Sequence, residues 1–150
     1  MSSNHESSLT ASHKLKYSYK RSLGPVLSRF FTGIRDRQLL GARRADGTVI
    51  VPPKEYDPDT AAALDELVPV GPGGIVKSWA WVSEPRQQQP KDHPFAYALI
   101  QLDGADTPFL HVVDAHDESV METGMRVVAT WADEATGAIT DITFVPEEAR

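Results

Sequence analysis

The chain has 150 residues, of which 41% are hydrophobic, a formal net charge of −6 at pH 7 and no cysteine. This length suits one globular domain with a single core, and the lack of cysteine excludes disulfides and thiolate metal sites. No apolar run approaches the roughly 20 residues of a bilayer-spanning helix, and the N-terminus lacks the apolar centre of a secretory signal, so a cytoplasmic protein is expected.

The charge is uneven along the chain. Residues 1–60 hold ten Lys/Arg and six Asp/Glu, a balance of +4, whereas residues 61–150 hold five and fifteen, a balance of −10. Proteins bind nucleic acids through Lys and Arg that replace condensed counterions, so the acidic second part disfavours such a partner. The basic first part keeps single-stranded nucleic acid open as an alternative.

The first 41 residues predict a tail followed by one helix. Residues 1–20 are polar, rich in serine and without period, which is typical of a disordered tail. A helix is predicted from Pro25, since proline is tolerated at a first helical position, to near Gly41. Its apolar stripe, with the spacing i, i+3, i+4 and i+7, comprises Leu27, Phe30, Phe31 and Ile34. This stripe covers either the chain's own sheet or another protein.

A small hairpin is predicted after the helix. Asp46 and Gly47 mark a tight turn, Thr48 to Val51 a short strand, and the following prolines a stiff loop. One or two helical turns are expected at 61–67, and the sequence GPGG at 71–74 ends regular structure. We therefore divide the chain into a tail at 1–20, a helix-and-hairpin segment at 21–70 and a main domain at 71–150.

The main domain is predicted to contain five strands. They cover 75–82, 95–102, 109–113, 125–131 and 139–145, with a short helix at 115–122. The second and third strands are joined by a short polar segment rich in Asp, Gly and Pro, which makes them an antiparallel hairpin. This element order is typical of a mainly β protein with a five-stranded barrel of the oligonucleotide/oligosaccharide-binding (OB) kind.

The faces of two predicted strands carry aromatic residues. Ile75, Trp79 and Trp81 are expected to share one face of the first strand, because side chains alternate along a strand. The second strand, 95–102, is apolar on both faces, which indicates packing on both sides. The aromatic residues of these strands offer either stacking surfaces for bases or core packing. Few Lys and Arg lie between them, which favours core packing.

No group of residues in the sequence predicts catalysis. His111, Asp114 and His116 carry metal-binding side chains, but a strand turns His111 and Asp114 to opposite faces. Asp92 and His93 are adjacent in the long polar loop 83–94, with no nucleophile or oxyanion hole nearby in the sequence. We therefore assign no catalytic residue and no metal ligand.

Several motifs together resemble one protein family. They are GPVLxRFF from Gly24, GTVIVPP from Gly47, GxV from Gly74, LDGADTPFLH from Leu102, GMRV from Gly124 and ITDIxF from Ile139. These motifs resemble the acyl-CoA-associated OB-fold proteins that carry a rubredoxin-like zinc ribbon before the barrel. The resemblance covers residues 22–146, and LDGADTPFLH together with GMRV is its most specific part.

The ribbon in this chain departs from the family pattern. Where family members often have four zinc-binding cysteines, the corresponding residues here are Arg43, Asp46, Asp57 and Thr60. The neighbouring Gly and Pro residues persist, so the frame of the ribbon remains without its ligands. We therefore expect no zinc, and predict that Arg43 beside Asp46 or Asp57 replaces the metal by an ion pair and hydrogen bonds.

The resemblance implies an accessory subunit of a thiolase-fold acyl-CoA enzyme. The version with a degenerate ribbon is most similar to partners of lipid-transfer-protein-like aldolases, which cleave the acyl-CoA thioesters of steroid side chains. In such a complex the enzyme supplies the reactive residues, and this chain stabilises it and helps to form the acyl-CoA channel. The acyl-CoA is then a substrate of the partner, and no cofactor is expected for this chain alone. An independent acyl-CoA enzyme would need Asp92 and His93 to act together.

Three segments are predicted to contact the partner, namely the apolar helix, the long loop and the tip of the central hairpin. The residues selected from them are Phe30, Phe31, Arg86, His93, Asp103 and Asp106.

Overall fold

The computed structural model describes residues 9–148, which form a small N-terminal sheet with one helix, followed by a closed barrel. The elements are α1 (Pro25–Arg35), β1 (Leu39–Arg43), β2 (Val49–Ile50), β3 (Leu67–Val70), β4 (Gly73–Val82), β5 (Phe95–Leu102), β6 (Phe109–Val113), β7 (Arg126–Trp131) and β8 (Ile142–Pro146). Within these residues, no helix has the length and apolar character that crossing a bilayer requires. Residues 9–24 contain neither helix nor strand, and the rest of the predicted tail lies outside the described residues.

The helix α1 begins at Pro25 as predicted but ends six residues before Gly41. Its first amides, of Val26 and Leu27, donate to the carboxylate of Glu55 at 3.1 Å. The helix ends at Arg35 because Arg37 has a φ of 60°, after which the chain runs into β1. The predicted continuation of the helix to Gly41 is therefore wrong.

The N-terminal sheet has the strand order β2-β1-β3. The turn at Asp46-Gly47 between β1 and β2 is confirmed, since Gly47 has a φ of 87°. Two other expectations for this part are wrong. Residues 61–67 form no helical turn, and 71–74 does not end regular structure, because β4 begins at Gly73. Leu67–Val70 is a strand that pairs antiparallel with β1. The segment before the barrel is thus a three-stranded sheet rather than a single hairpin.

The barrel has the five-stranded OB architecture that the sequence predicts. Its strands follow the cyclic order β4-β5-β6-β8-β7. All neighbours are antiparallel except β6 and β8, whose parallel pair Val113–Phe144 closes the barrel. The expected helix between β6 and β7 is reduced to a 3₁₀ turn at Glu118–Val120, which begins where the carboxylate of Asp117 accepts the amide of Ser119.

A β-bulge at Lys77 changes which residues of β4 face the core. The register with β5 shifts between Val76, which pairs with Ile100, and Ser78, which pairs with Leu99. The extra residue turns Trp79 and Trp81 to the inner face with Val76, while Ile75 is 38% exposed on the outer face. The prediction that Ile75 shares a face with the two tryptophans is wrong, because strict alternation fails at a bulge.

One apolar core joins the barrel to the N-terminal part. The rings of Phe30 on α1 and Phe109 on β6 pack edge to face, with their centroids 6.5 Å apart. Side chains of β1 and β2 belong to the same core, as do Ile100 and Phe144 from the barrel interior. The helix therefore covers the chain's own sheet, which decides between the two interpretations of its apolar stripe.

Candidate partner interface

The ribbon positions are held together by Arg44. Its guanidinium donates two hydrogen bonds to the carboxylate of Asp57, at 2.8 and 3.0 Å, and a further one to Asp59. Asp57 is only 5% exposed, and its carboxylate also accepts the backbone amides of Asp59 and Thr60. The hydrogen bonds from Arg44 hold the pKa of the Asp57 carboxyl far below its usual range.

The predicted ion pair therefore forms, but with the neighbouring arginine. Arg43 points away from Asp57, to the carboxylate of Glu66 and the carbonyl of Gly47, each at 3.2 Å. The alternation of side chains at the end of β1 separates the two adjacent arginines. An arginine–carboxylate ion pair at these positions is thus present as predicted, but the arginine is Arg44 and not Arg43.

These ribbon positions do not fit a zinc ion. Arg43 offers no lone pair to a metal, and Thr60 is a poor zinc ligand. The carboxylate of Asp57 is already bound by a guanidinium, whose positive charge would repel a second cation. Across residues 9–148, no group of three or more His, Asp or Glu side chains is arranged to hold a metal ion.

The helix contributes less to a partner surface than predicted. Phe30 is 1% exposed and lies in the core, while Phe31 is half-buried against the same core and contacts Phe30 edge to face at 5.4 Å. The side chain of Phe30 is therefore inaccessible to another protein, and only Phe31 is left as a partial contact.

The hairpin tip is engaged within the chain. Asp106 accepts the amide of Val49 at 2.8 Å, and Thr107 bonds both the amide and the carbonyl of Val51. Asp103 forms two hydrogen bonds with Arg126, at 2.8 and 2.7 Å. The contacts of Asp106 and Thr107 fix the barrel to the N-terminal sheet, and that of Asp103 joins the hairpin tip to β7 within the barrel. Asp103 and Asp106 therefore have a structural explanation that needs no partner.

The long loop lies at the opposite end of β5 from this tip. Loop 83–94 leads into Phe95, whereas the tip follows Leu102, so the eight residues of β5, about 25 Å of strand, lie between them. Arg86 is exposed in this loop. The three predicted contact segments are therefore not brought together on one surface.

His93 joins the loop to the barrel. Its Nε2 is 2.8 Å from a carboxylate oxygen of Asp114, and its Nδ1 is 3.0 Å from one of Asp92. Hydrogen bonds to Asp114, and then to Asp92, raise the pKa of the His93 imidazole. Two carboxylates on one imidazole hold a loop in place, and they leave neither ring nitrogen available to a substrate.

His111 and His116 do not form a metal set with Asp114. His111 is 8% exposed, and its Nε2 donates to the carbonyl of Ile139 at 3.1 Å. Burial lowers the pKa of the His111 imidazole and favours its neutral form. His116 lies 3.6 Å from Asp114 at the surface. His111 and Asp114 thus lie apart, as the strand alternation predicts.

The β5–β6 hairpin exposes an apolar surface that the predicted interface did not include. Tyr97 pairs with Val112 and Leu99 with Leu110, on the face of the hairpin opposite to the barrel interior; Val112 is covered there, with 6% of its surface exposed. We call these four residues the hairpin outer face. Leu110 is 61% exposed and Leu99 37%. The sequence contains an indication of this surface. The strand β5 is apolar on both faces, and only one of these faces can pack into the barrel interior.

A groove lies beside the hairpin outer face. It has a volume of about 340 Å³, and it runs between β6, the start of β8 and the loop 83–94. Its apolar lining comes from Tyr97, Leu110, Val112, Ile139 and Ile142. Lys91 of the loop lies at its edge, with Nζ donating to the hydroxyl of Thr143 at 2.8 Å.

Residues 67–132 match the family model described as the ChsH2 C-terminal OB-fold domain. This segment has an OB fold that resembles the ChsH2 C-terminal domain, and we call it ChsH2-type for that similarity. The match contains β3 to β7, with both strands of the hairpin outer face and the loop 83–94. No curated protein matches the sequence of the chain significantly.

Two solved structures share the fold over most of the chain. A chain of an Ltp2-ChsH2(DUF35) aldolase is 21% identical, with a TM-score of 0.65, and the match covers 85% of this chain and 98% of that one. A DUF35-family protein of unknown function from Sulfolobus solfataricus is 15% identical, with a TM-score of 0.63, over 83% of this chain and 87% of that one. The N-terminal part and the ChsH2-type barrel together therefore form one known architecture.

Proposed function

We propose that the chain is an accessory subunit that binds and stabilises a thiolase-fold acyl-CoA enzyme. The observation that carries this proposal is the ChsH2-type barrel itself, since a chain of the same fold belongs to the Ltp2-ChsH2(DUF35) aldolase. The finer proposal is that the enzyme is an aldolase that cleaves acyl-CoA thioesters of steroid side chains, and that this chain helps to form the acyl-CoA channel.

The hairpin outer face is the surface we assign to the enzyme. Leu110 and Leu99 are large apolar side chains held in water on two paired strands, where the backbone hydrogen bonds fix their positions. The half-buried Tyr97 lies on the same face of β5 as Leu99, while Val112 is buried beneath this face. A rigid apolar patch suits the centre of a stable protein–protein interface, because little entropy is lost on binding.

The division of labour follows from the chemistry of the side chains. The carboxylates of Asp57 and Asp103 are bound by arginines, His93 is bound by two carboxylates, and His111 is buried. The first three groups are held by ion pairs within the chain, and His111 donates to the carbonyl of Ile139 while its Nδ1 is buried without a hydrogen-bond partner among residues 9–148. The enzyme subunit then supplies the reacting groups, and this chain supplies stability and part of the surrounding surface.

Co-expression tests the proposal. The chain is produced together with a candidate thiolase-fold protein, with an affinity tag on this chain only, and the products are separated by size exclusion. We expect a complex of fixed stoichiometry, and a loss of soluble enzyme when this chain is omitted. We also expect retro-aldol activity on a steroid side-chain acyl-CoA only with the complex.

A matched pair of variants assigns the surface. Leu110→Glu places a charge in the hairpin outer face and is expected to abolish co-purification. Thr123→Glu places the same charge in the turn before β7. This turn hydrogen-bonds to the edge of β4 that faces away from β5. We expect Thr123→Glu to leave the complex intact. Failure of the wild-type chain to bind any thiolase-fold protein would contradict the proposed function.

A further inference from the structure

The groove beside the hairpin outer face combines an apolar lining with one cation. Its lining side chains are those of Leu110, Val112, Ile139 and Ile142, and Lys91 closes one edge. The hydrogen bond from Lys91 to Thr143 fixes the ammonium group beside this lining. A volume of about 340 Å³ is enough for one large side chain with part of its neighbours.

The positive charge of Lys91 at the edge of the groove is unusual, because the barrel as a whole is acidic. Residues 61–150 carry five Lys/Arg against fifteen Asp/Glu. Arg126 is neutralised by Asp103 and Glu147, whereas Lys91 forms no ion pair with any residue among 9–148. Arg86 is exposed in the same loop. The acidic barrel therefore presents one cation, Lys91, at the edge of its apolar groove, with the exposed Asp92 next to it in the chain. The ammonium group of Lys91 attracts a negative group to the groove.

The groove is continuous with the surface we assign to the enzyme. Tyr97, Leu110 and Val112 belong both to the groove lining and to the hairpin outer face. A protein that covers the outer face therefore also covers the groove. This continuity favours a polypeptide occupant over a free amphiphilic molecule.

We propose that the groove is an anchor pocket for the enzyme subunit. It takes one bulky apolar side chain of that subunit, and Lys91 binds a carboxylate that neighbours this side chain in the same segment. The inference rests on the proposed function and adds the chemistry of the segment that is recognised, an acidic residue close to an aromatic or large aliphatic one. Anchors of this kind carry much of the binding energy of an interface.

Two variants with matched controls test the anchor. Lys91→Glu reverses the charge at the groove and Thr140→Trp fills it, while Lys54→Glu and Thr123→Trp make the same changes at exposed positions elsewhere. Relative dissociation constants are measured by competition, in which each untagged variant displaces the tagged wild-type chain from the co-expressed complex, after circular dichroism has confirmed that each variant folds. We expect both groove variants to weaken binding by about tenfold or more, and both controls to change it less than about twofold.

The salt dependence separates the two parts of the anchor. Binding of the wild type is expected to weaken as salt is raised, and binding of Lys91→Met to be weaker and less sensitive to salt. If the wild type binds the enzyme and Lys91→Glu and Thr140→Trp bind it with the same affinity, the groove is not an anchor pocket. That result would leave the proposed function intact. Saturable binding of dodecanoate to the isolated chain that leaves the affinity for the enzyme unchanged would also overturn it. Absence of any wild-type complex would instead contradict the proposed function.

Discussion

Arg44 and Asp57 form a two-point hydrogen-bonded ion pair that closes the degenerate ribbon. The Nε and Nη2 atoms of Arg44 lie 2.8 and 3.0 Å from the two carboxylate oxygens of Asp57. A planar guanidinium matches a carboxylate in this way, and lysine would not. The ribbon thus keeps its conformation through a side-chain cation that belongs to the chain itself.

Removal of this cation is expected to destabilise the N-terminal part. Arg44→Met leaves the carboxylate of Asp57, 5% exposed, without its cationic partner. We expect the midpoint of thermal unfolding to fall by about 5 °C or more. Arg43→Met removes an exposed ion pair with Glu66 and is expected to have little effect. Equal midpoints for the two variants would show that the ion pair has no special role.

The purified chain is expected to contain no stoichiometric zinc. The guanidinium of Arg44 binds the carboxylate that a cation would need, and no cysteine is present. Elemental analysis should find well under one zinc per chain, and a chelator should leave the thermal midpoint unchanged. One tightly held zinc per chain would mean that the ribbon uses ligands other than those at its four positions.

Phe30 and Phe31 are expected to respond differently to truncation. Phe30→Ala empties a core position that is 1% exposed, and should cost about 3 to 5 kcal/mol in the free energy of unfolding. Phe31→Ala removes a half-buried ring and should cost clearly less. Urea denaturation of both variants checks this order. The reverse order would contradict the placement of α1 over the barrel.

The stability that His93 contributes should depend on pH. Hydrogen bonds to Asp114 and Asp92 raise the pKa of the His93 imidazole in the folded chain above its usual value. The protonated imidazole therefore stabilises the fold fully below the unfolded-state pKa, and this contribution is lost as pH rises through the folded-state pKa. His93→Gln should destabilise the chain at about pH 5.5 and much less at about pH 9.

Urea denaturation at both pH values measures this difference. His116→Gln is the control, since its ring is 87% exposed and lies 3.6 Å from the same Asp114. A loss of stability in His93→Gln that is equal at both pH values would indicate that the charge of the imidazole plays no part.

The sequence predicted the elements whose signals are local. The β5–β6 hairpin follows from apolar runs around a segment with Asp, Gly and Pro, and the start of α1 from Pro25. The strands β1 and β3 were missed because they are stabilised by pairing with each other across more than 20 residues. The bulge at Lys77 was missed for the same reason, since it depends on the register with β5.

The candidate site was predicted less well than the fold. The sequence selected charged and aromatic residues on loops, and the structure shows Asp103 and Asp106 engaged within the chain and Phe30 in the core. The exposed side of β5 and β6 becomes visible only when the barrel closes, because closure decides which of two apolar faces turns outward. Leu110 illustrates this point, because it lies in an apolar strand and yet is 61% exposed.

The most direct test of the partner surface uses the lack of cysteine in the chain. Leu110→Cys and Thr123→Cys each introduce one thiol, and its rate of reaction with a maleimide reports the accessibility of that position. The rates are measured for the isolated chain and for its complex with the thiolase-fold enzyme. We predict that complex formation slows labelling at residue 110 by about tenfold or more and leaves residue 123 unchanged. Equal labelling of residue 110 in the isolated chain and in the complex would contradict the hairpin outer face as the binding surface.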